Sequence, residues 1–292
     1  MRFKELLSIR NISALTVLFG IVLLCFIWVG FYYKVQSERR LEMENAIKET
    51  ANYARVFEEH TVRTIRGLDE VALFLKYQTE KEGFGFDLQS LAQAGRFKGQ
   101  PYVLLSVANE NGDLISSSQV PFVASNIKDR EHFLIHRNLD NAQLYISKPT
   151  MGRSSGKMSI QLSRRINKSD GTFGGVVVVS ADPYYFAEFY KQIHLGNNSS
   201  IALIGRDGIV RVRQSDTEVA IGQDLSKDAL MKSIQEGDAG SFISTSPFDG
   251  TIRIYSYRSL REFPLIVLAG VSEEQTFQVL NERVVGYYWV CG

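Results

Sequence analysis

Apolar side chains first crowd into one unbroken run. Asn11 to Tyr33 reads NISALTVLFGIVLLCFIWVGFYY, and no charged residue stands between Arg10 and Lys34. A helix of that length spans roughly 30 Å of hydrocarbon. A cleavable signal peptide is the competing reading, but its apolar core is shorter, about 7–15 residues, and a small-x-small site follows it. Here Trp28, Phe31, Tyr32 and Tyr33 form an aromatic belt where that site belongs. A retained transmembrane helix over residues 11–33 is therefore expected. Arg2, Lys4 and Arg10 outweigh Glu5 before it, which places residues 1–10 in the cytoplasm; Arg39 and Arg40 weaken that asymmetry without reversing it.

The pattern then becomes helical. From Lys34 to about Gln78 there is no proline, and Gly67 is the single glycine. Ile47, Ala51, Ala54, Phe57, Ile65, Leu68, Val71, Ala72 and Leu75 recur at threes and fours, an apolar stripe on a helix. A stalk of about 65 Å over residues 34–80 is expected, one side packed on a domain or on a second copy. Two helices broken near Gly67 are the alternative.

Beyond it the period shortens to that of strands, and one order of elements occurs twice. Glu82–Phe86 closes the stalk, and Leu88–Ala94 reads as a short helix. Tyr102–Ala108 and Leu114–Ser117 flank an Asn111-Gly112 turn, a strong hairpin signal because both residues tolerate positive φ. A helix over 129–133 and strands at Leu144–Ser147, Ser159–Arg165 and Phe173–Ala181 follow. An aromatic helix, Tyr184–Tyr190, leads to the second pass: Ser200–Gly205, Ile209–Arg213, a helix over Leu225–Gln235, then Gly240–Ser244, Thr251–Arg258 and Leu265–Val271, with a tight turn at Asp249-Gly250. The repeat predicts an α+β fold with two modules, 81–183 and 184–271, each an antiparallel sheet of about five strands with helical cover. Ser272-Glu273-Glu274 caps a helix to Arg283, and the apolar residues 284–292 read as the start of a second crossing that is cut off.

Composition adds limits. Hydrophobic residues make up 45% and charged ones 22%, and 33 basic against 32 acidic side chains leave a net charge of +1. No field or polybasic run recruits nucleic acid. Cys25 lies inside the anchor and Cys291 near the end, so neither staples the exported part.

Candidate chemistry gathers between Lys128 and Asp182. Arg130 and Asp182 sit at opposite ends of a β-rich unit, and strands at this spacing bring the two ends over one face of a sheet. An arginine presents a planar fork to a carboxylate; an aspartate accepts from ammonium or hydroxyl donors. The duller readings are a helix brace for Arg130 and an N-cap before Pro183 for Asp182. His132 and His136 share a helical face, but no third metal ligand is evident, and His60 and His194 stand alone as structural residues. Gly152–Lys157 has the wrong spacing for a phosphate loop and reads as a hairpin. Ser163-Arg164-Arg165 reads as solvated charge, and Arg211, Arg213 and Arg253 as scaffold. No nucleophile elbow or catalytic carboxylate pair stands out.

Several stretches carry a resemblance: Asp129-Arg130 with His132-Phe133, Ile146-Ser147-Lys148-Pro149, Leu162–Ile166, Asp170–Val177, Asp182-Pro183, Arg206-Asp207-Gly208, and Tyr257-Arg258 with Pro264-Leu265. Together they resemble the double Cache (PDC-type) extracytoplasmic sensor domains of bacterial signalling proteins, closest to the subgroup on diguanylate cyclases and sensor histidine kinases. The resemblance implies two tandem PAS-like modules on a stalk, flanked by transmembrane helices, with ligand in the membrane-distal module. In amino-acid-binding relatives an Arg followed by Trp and Tyr holds the carboxylate, while a Tyr and later Asp residues hold the amine. Arg130 and Asp182 match the Arg and the last Asp. His132, Phe133, Thr150 and Gly152 stand where Trp, Tyr, Tyr and Asp belong, so the amine cage is incomplete and a small polar anion suits the site better. The candidate ligand-binding residues are Arg130, His132, Phe133, Tyr145, Lys148, Thr150 and Asp182.

The expectation is thus a sensor in the bacterial inner membrane, residues 34–283 outside the cytoplasm, homodimeric through the stalk. It has no cofactor, metal or nucleic acid and no catalytic residue of its own. The output would be a diguanylate cyclase, else a histidine kinase or chemoreceptor. An anchored exported enzyme and an adhesion module are the other classes.

Overall fold

The computed structural model describes residues 2–139, 143–191, 196–234 and 237–291, with backbone alone for 2–14 and 287–291. His194 and Gln235 fall outside the described residues. Helix α1 (Arg2–Glu82) runs through Gly67 without a break. A side chain there would meet the amide of Gln100 at 2.9 Å, so the glycine admits a neighbour and does not interrupt the helix. The chain divides into two compact units, one made of residues up to Lys48 with the C-terminal helix, the other Glu49–Ser272.

In the first unit, the stretch of α1 from Leu15 is long and apolar enough to cross a membrane, and none of its most apolar window is buried. Leu15, Phe19 and Phe26 are each about two-thirds exposed or more. The last helix, α6 (Glu273–Cys291), buries Phe277 and Leu280, and the Arg39 guanidinium sits 4.8 Å over the Phe277 ring.

The second unit holds the repeat. After α2 (Leu88–Gln93), whose first turn Asp87 caps through Ser90 N at 2.9 Å, come β1 (Tyr102–Asn109), β2 (Leu114–Ser117), α3 (Glu131–Asn138), β3 (Tyr145–Met151), β4 (Met158–Asn167) and β5 (Phe173–Ala181). Helix α4 (Pro183–Lys191) leads to β6 (Ser200–Gly205), β7 (Val210–Ser215), β8 (Val219–Ala220), α5 (Ala229–Ile234), β9 (Ala239–Thr245), β10 (Ile252–Ser259) and β11 (Leu265–Ser272). The sheets are antiparallel, ordered β2-β1-β5-β4-β3 and β8-β7-β6-β11-β10-β9. The second is therefore six-stranded, because the short β8 extends its edge.

Alternation along each strand feeds two cores. Leu105, Val107, Leu162, Val177 and Val179 of the first sheet, with Ile201, Leu203, Val212, Leu265 and Val267 of the second, meet the α1 stripe of Ala54, Phe57, Leu68 and Leu75. The opposite faces carry α3 over the first sheet and α5 over the second, each with its own small core. Polar ties fix α1 on this unit, among them these: Asp69 takes both branches of Arg164 (2.6 and 2.8 Å), Lys76 donates to Arg165 O at 2.8 Å, Glu58 pairs with Arg258, and Arg66 with Glu262. Ser163-Arg164-Arg165 is accordingly not solvated charge. Arg164 is spent on α1, and the buried Arg165 donates to His136 O at 2.5 Å and lies over the Phe173 ring.

The duplication is written in the backbone. Gly112 N donates to Asn109 O as Gly208 N does to Gly205 O, at φ of +82° and +79° that favour glycine. Ile127 N then bonds Gly112 O, as Leu225 N bonds Gly208 O; Arg130 N bonds Ile127 O, as Asp228 N bonds Leu225 O. Arg130 thus corresponds to Asp228 and His132 to Leu230. Strand registers extend the match: Ser106 pairs with Val178 where Ala202 pairs with Leu268, and Gln161 with Ser180 where Tyr255 pairs with Gly270.

Candidate functional site

The distal module contains a hollow of about 40 Å³ between the α3 face of its sheet and the β3–β4 hairpin. Its floor comes from alternate strand positions that point away from α1: Leu104 and Ser106 on β1, Gln161 on β4, Val178 and Ser180 on β5. Its walls are Leu114, Ile127, Arg130 and His132 on one side, and Thr150 to Ser155 on the other.

Edge strand β3 brings the hairpin over the sheet by breaking its own ladder. Pro149 has no N–H to donate, and the pairing shifts between Ile146 and Pro149. The Ser147 hydroxyl fills the gap, accepting from Gln161 N at 2.9 Å and donating to Lys148 O at 2.7 Å. Gln161 is fully engaged: its amide donates to Ser159 Oγ at 2.8 Å and its carbonyl accepts from Ser180 Oγ at 2.7 Å. The polar part of this floor is buried and tied together by hydrogen bonds.

Two groups on the walls remain open to a ligand. Arg130, N-terminal neighbour of α3, donates from Nη2 to Met151 O at 3.1 Å. The His132 ring is 6% exposed and has no protein hydrogen-bond partner among the described residues. Burial, followed by the charges of Arg130, His136 and Arg153, lowers its pKa to about 4, so it is neutral at pH 7. Its neighbour His136 is used structurally. Ser163 Oγ donates to His132 O at 3.1 Å, so it must accept from His136 Nε2 at 3.0 Å, which fixes that proton on Nε2. Burial likewise lowers the His136 pKa to about 4.

The sequence candidates separate accordingly. Arg130, His132 and Thr150 line the hollow together. Phe133 is fully buried beneath it, edge-on to Phe173 at 5.3 Å in the small core under α3. Tyr145 stands edge-on to His136 at 6.4 Å, its hydroxyl pKa pushed up by burial and by Glu131. Lys148 points to solvent, 3.8 Å from Glu131. Asp182 is outside the lining: its Oδ1 accepts from Tyr184 N at 2.9 Å and caps α4, so it does not face Arg130 across the hollow. Ser106, Gln161, Ser180 and Arg153 are the lining residues that a search for ligand motifs overlooks. His132 and His136 are not joined by a third ligand, and no cluster able to hold a metal occurs among the described residues.

At the corresponding place in the proximal module, Tyr255, Tyr257, Leu230 and Met231 pack into one apolar cluster with Phe242 against it. Its arginines are scaffold: Arg253 grips Asp249 with two bonds of 2.8 Å, Arg213 reaches the same carboxylate at 2.9 Å, and Arg211 holds Asp207. A separate depression of about 280 Å³ lies by the start of β6, lined in part by Ser199, Ser215 and Asp216. The Asp216 carboxylate already accepts from Asn198 N and, at 3.3 Å, from Ser199 Oγ.

Comparison with known proteins agrees with this architecture. The dCache_1_like family model, described as a histidine kinase sensor domain, matches residues 183–270. An extracellular domain assigned to a histidine kinase, rpHK1S-Z16, is 28% identical with a TM-score of 0.67, over 79% of this chain and 95% of that one. The periplasmic sensory domain of the Campylobacter jejuni chemoreceptor Tlp1 shares the fold at 12% identity and a TM-score of 0.59, over 80% and 96% of the two chains. The ligand-binding domain of Mlp24, solved with asparagine, does so at 14% and 0.57, over 85% and 99%. No curated protein gives a significant match. A long helix bearing two tandem α-covered sheets, together with these matches, supports a dCache sensor domain in this chain.

Proposed function

We propose that this chain is the extracytoplasmic sensor of a bacterial inner-membrane receptor, and that its distal hollow takes a small carboxylate without an ammonium group. The carrying observation is the lining: it includes the guanidinium of Arg130, the neutral imidazole of His132 and the hydroxyls of Ser106 and Thr150, and none of its residues is acidic. Arg130 offers charge-assisted donors to an anion, and nothing there balances an amine. With Asp182 committed to the α4 cap, the amino-acid pattern of the resemblance loses its last acid. A hollow of about 40 Å³ seats a few non-hydrogen atoms, so short monocarboxylates fit best. Binding there would shift a pre-existing balance between arrangements of the domain, and α1, tied to β4 through Arg164 and Asp69, would carry the shift toward a cytoplasmic output such as a diguanylate cyclase or a histidine kinase.

Calorimetric titration of the full chain in detergent tests the ligand class with acetate, propionate, glycine and alanine. Binding of an acid, weakened about tenfold or more by Arg130→Ala, is the expected outcome; binding of alanine as tight as propionate, or of neither, contradicts it.

A homodimer through α1 belongs to the same reading. The stripe containing Ala54 faces this chain's own sheets, so it does not join two copies. The side exposed to solvent carries Val56, Leu73 and Tyr77 at its ends, with the charged Glu59, Arg63 and Glu70 between them. Cysteines at Val56 or Leu73 should cross-link in membranes; failure at both positions argues for a monomer.

A further inference from the structure

The hollow is bordered by a strap. Gly152–Ser155 of the β3–β4 hairpin form one wall, and the tip is fastened to the opposite wall. Arg153 grips Asp129 with two parallel bonds, Nη1 to Oδ1 and Nη2 to Oδ2, each 2.6 Å, and Nη1 also donates to Asn126 O at 2.6 Å. Arg153 and Asp129 flank the site on both sides, Asp129 being next to the ligand-facing Arg130. The Arg153 fork holds the Asp129 carboxyl down to about 2, so the pair stays charged at any physiological pH. The other fastenings are light: Gln119 donates to Ser154 O at 3.3 Å, and Arg130 to Met151 O. Both latch partners are in contact with water, at 39% and 58% side-chain exposure, where ion pairs are individually weak and screened by salt.

These features differ from those of a permanent structural bridge. The partly buried Arg164–Asp69 pair, 14% and 18% exposed, fastens β4 to α1, whereas Arg153–Asp129 lies at the rim of a hollow of about 40 Å³. We propose that the Arg153–Asp129 pair is the releasable latch of a lid formed by residues 152–157, and that its opening controls entry to the distal hollow. This deepens the ligand-site reading above and rests on it for its biological meaning. The motion itself is measurable without any ligand.

The test uses the full chain with Cys25→Ser and Cys291→Ser and a reporter thiol at Ser106, a floor residue that is 5% exposed. Iodoacetamide is the probe, and the alkylation rate of Ser106→Cys is the readout. Asp129→Asn and Arg153→Ala should each raise that rate about three- to fivefold, matching the loss of one exposed bidentate pair. Added salt should accelerate labelling in the parent and not in Arg153→Ala. Val179→Cys, fully buried on the sheet's other face, reports general unfolding and should not accelerate. A rise under about 1.5-fold in both latch variants, including no labelling at all, overturns the proposal, as does an equal acceleration at Val179→Cys. If instead no carboxylate binds in calorimetry while the latch variants still speed labelling, the lid stands and the ligand class is wrong.

Discussion

Ser106 in the distal module and Ala202 in the proximal one hold the same place on equivalent strands, and the contrast spreads outward from them. Where the distal floor has Gln161 and Ser180, the proximal sheet has Tyr255 and Gly270. A Cβ on Gly270 would overlap the Tyr255 ring, so the small residue makes space for the large one. Ser163 corresponds to Tyr257, over which Gly240 leaves room in the same way, and His132 corresponds to Leu230. Two rings and a leucine thus stand where the distal module has three hydroxyls, an amide and an imidazole. One architecture occurs twice, once around an apolar cluster and once around a polar hollow, and the difference lies in a handful of side chains on one sheet face. Arginine shows the same division: Arg213 and Arg253 are 2% and 1% exposed and consumed by Asp249, while Arg130 gives one bond to a backbone carbonyl and keeps its fork available.

The sharpest way to break this comparison is to remove Asp249. Its carboxylate, held far below its usual pKa chiefly by Arg253, neutralises two buried guanidiniums. Asp249→Ala should cost about 3–5 kcal/mol in a denaturant titration, and a loss below about 1 kcal/mol would mean that water or Glu218 replaces it. Next is a matched pair of insertions. Ala202→Leu overfills the proximal core and should cost about 1–3 kcal/mol. Ser106→Leu enters the distal hollow and should cost less than about 1 kcal/mol while abolishing carboxylate binding; equal costs would erase the distinction between the modules.

Acidification follows in size. His132 and His136 have folded pKa values near 4 against about 6.5 when unfolded, so the unfolded chain binds more protons in that window. Stability should rise with pH between about 4 and 6.5 and fall as the pH drops through it, by about 2 kcal/mol per histidine between pH 6.5 and 5. Urea midpoints across that range, compared with those of His132→Gln, read the effect; an unchanged slope in the variant assigns it elsewhere. The smallest effect should be that of Arg130→Ala on stability, within about 1 kcal/mol because one exposed hydrogen bond is lost. A larger destabilisation would make Arg130 a scaffold residue like Arg213 and Arg253 of the proximal module.

Much of the architecture was legible because it depends on local signals. The Asn111-Gly112 and Asp249-Gly250 turns, the alternating strands and the repeated order of elements all declare themselves in short windows. The site was legible in part. Arg130, His132 and Thr150 do meet around one hollow, but Asp182 turns to its own helix, because an Asp before a Pro at a helix start finds a backbone donor two residues away. Arg164 and Arg165 misled because their partners are remote in sequence: Asp69 is 95 residues from Arg164, and His136 is 29 from Arg165. The polar floor escaped notice for a different reason. Ser106, Gln161 and Ser180 look like ordinary strand residues until they are set beside Ala202, Tyr255 and Gly270, and that alignment needs the strand registers. At Gly67 the unbroken stalk holds, and the alternative of a break there fails because the glycine accommodates Gln100.

Hydrogen exchange of the full chain, with and without saturating propionate, tests the central claim most directly. The account predicts added protection confined to peptides from β1, the segment around Arg130 and His132, the β3–β4 hairpin and β5, with β6 to β11 unchanged. Protection centred on the proximal sheet, or none anywhere, would contradict it.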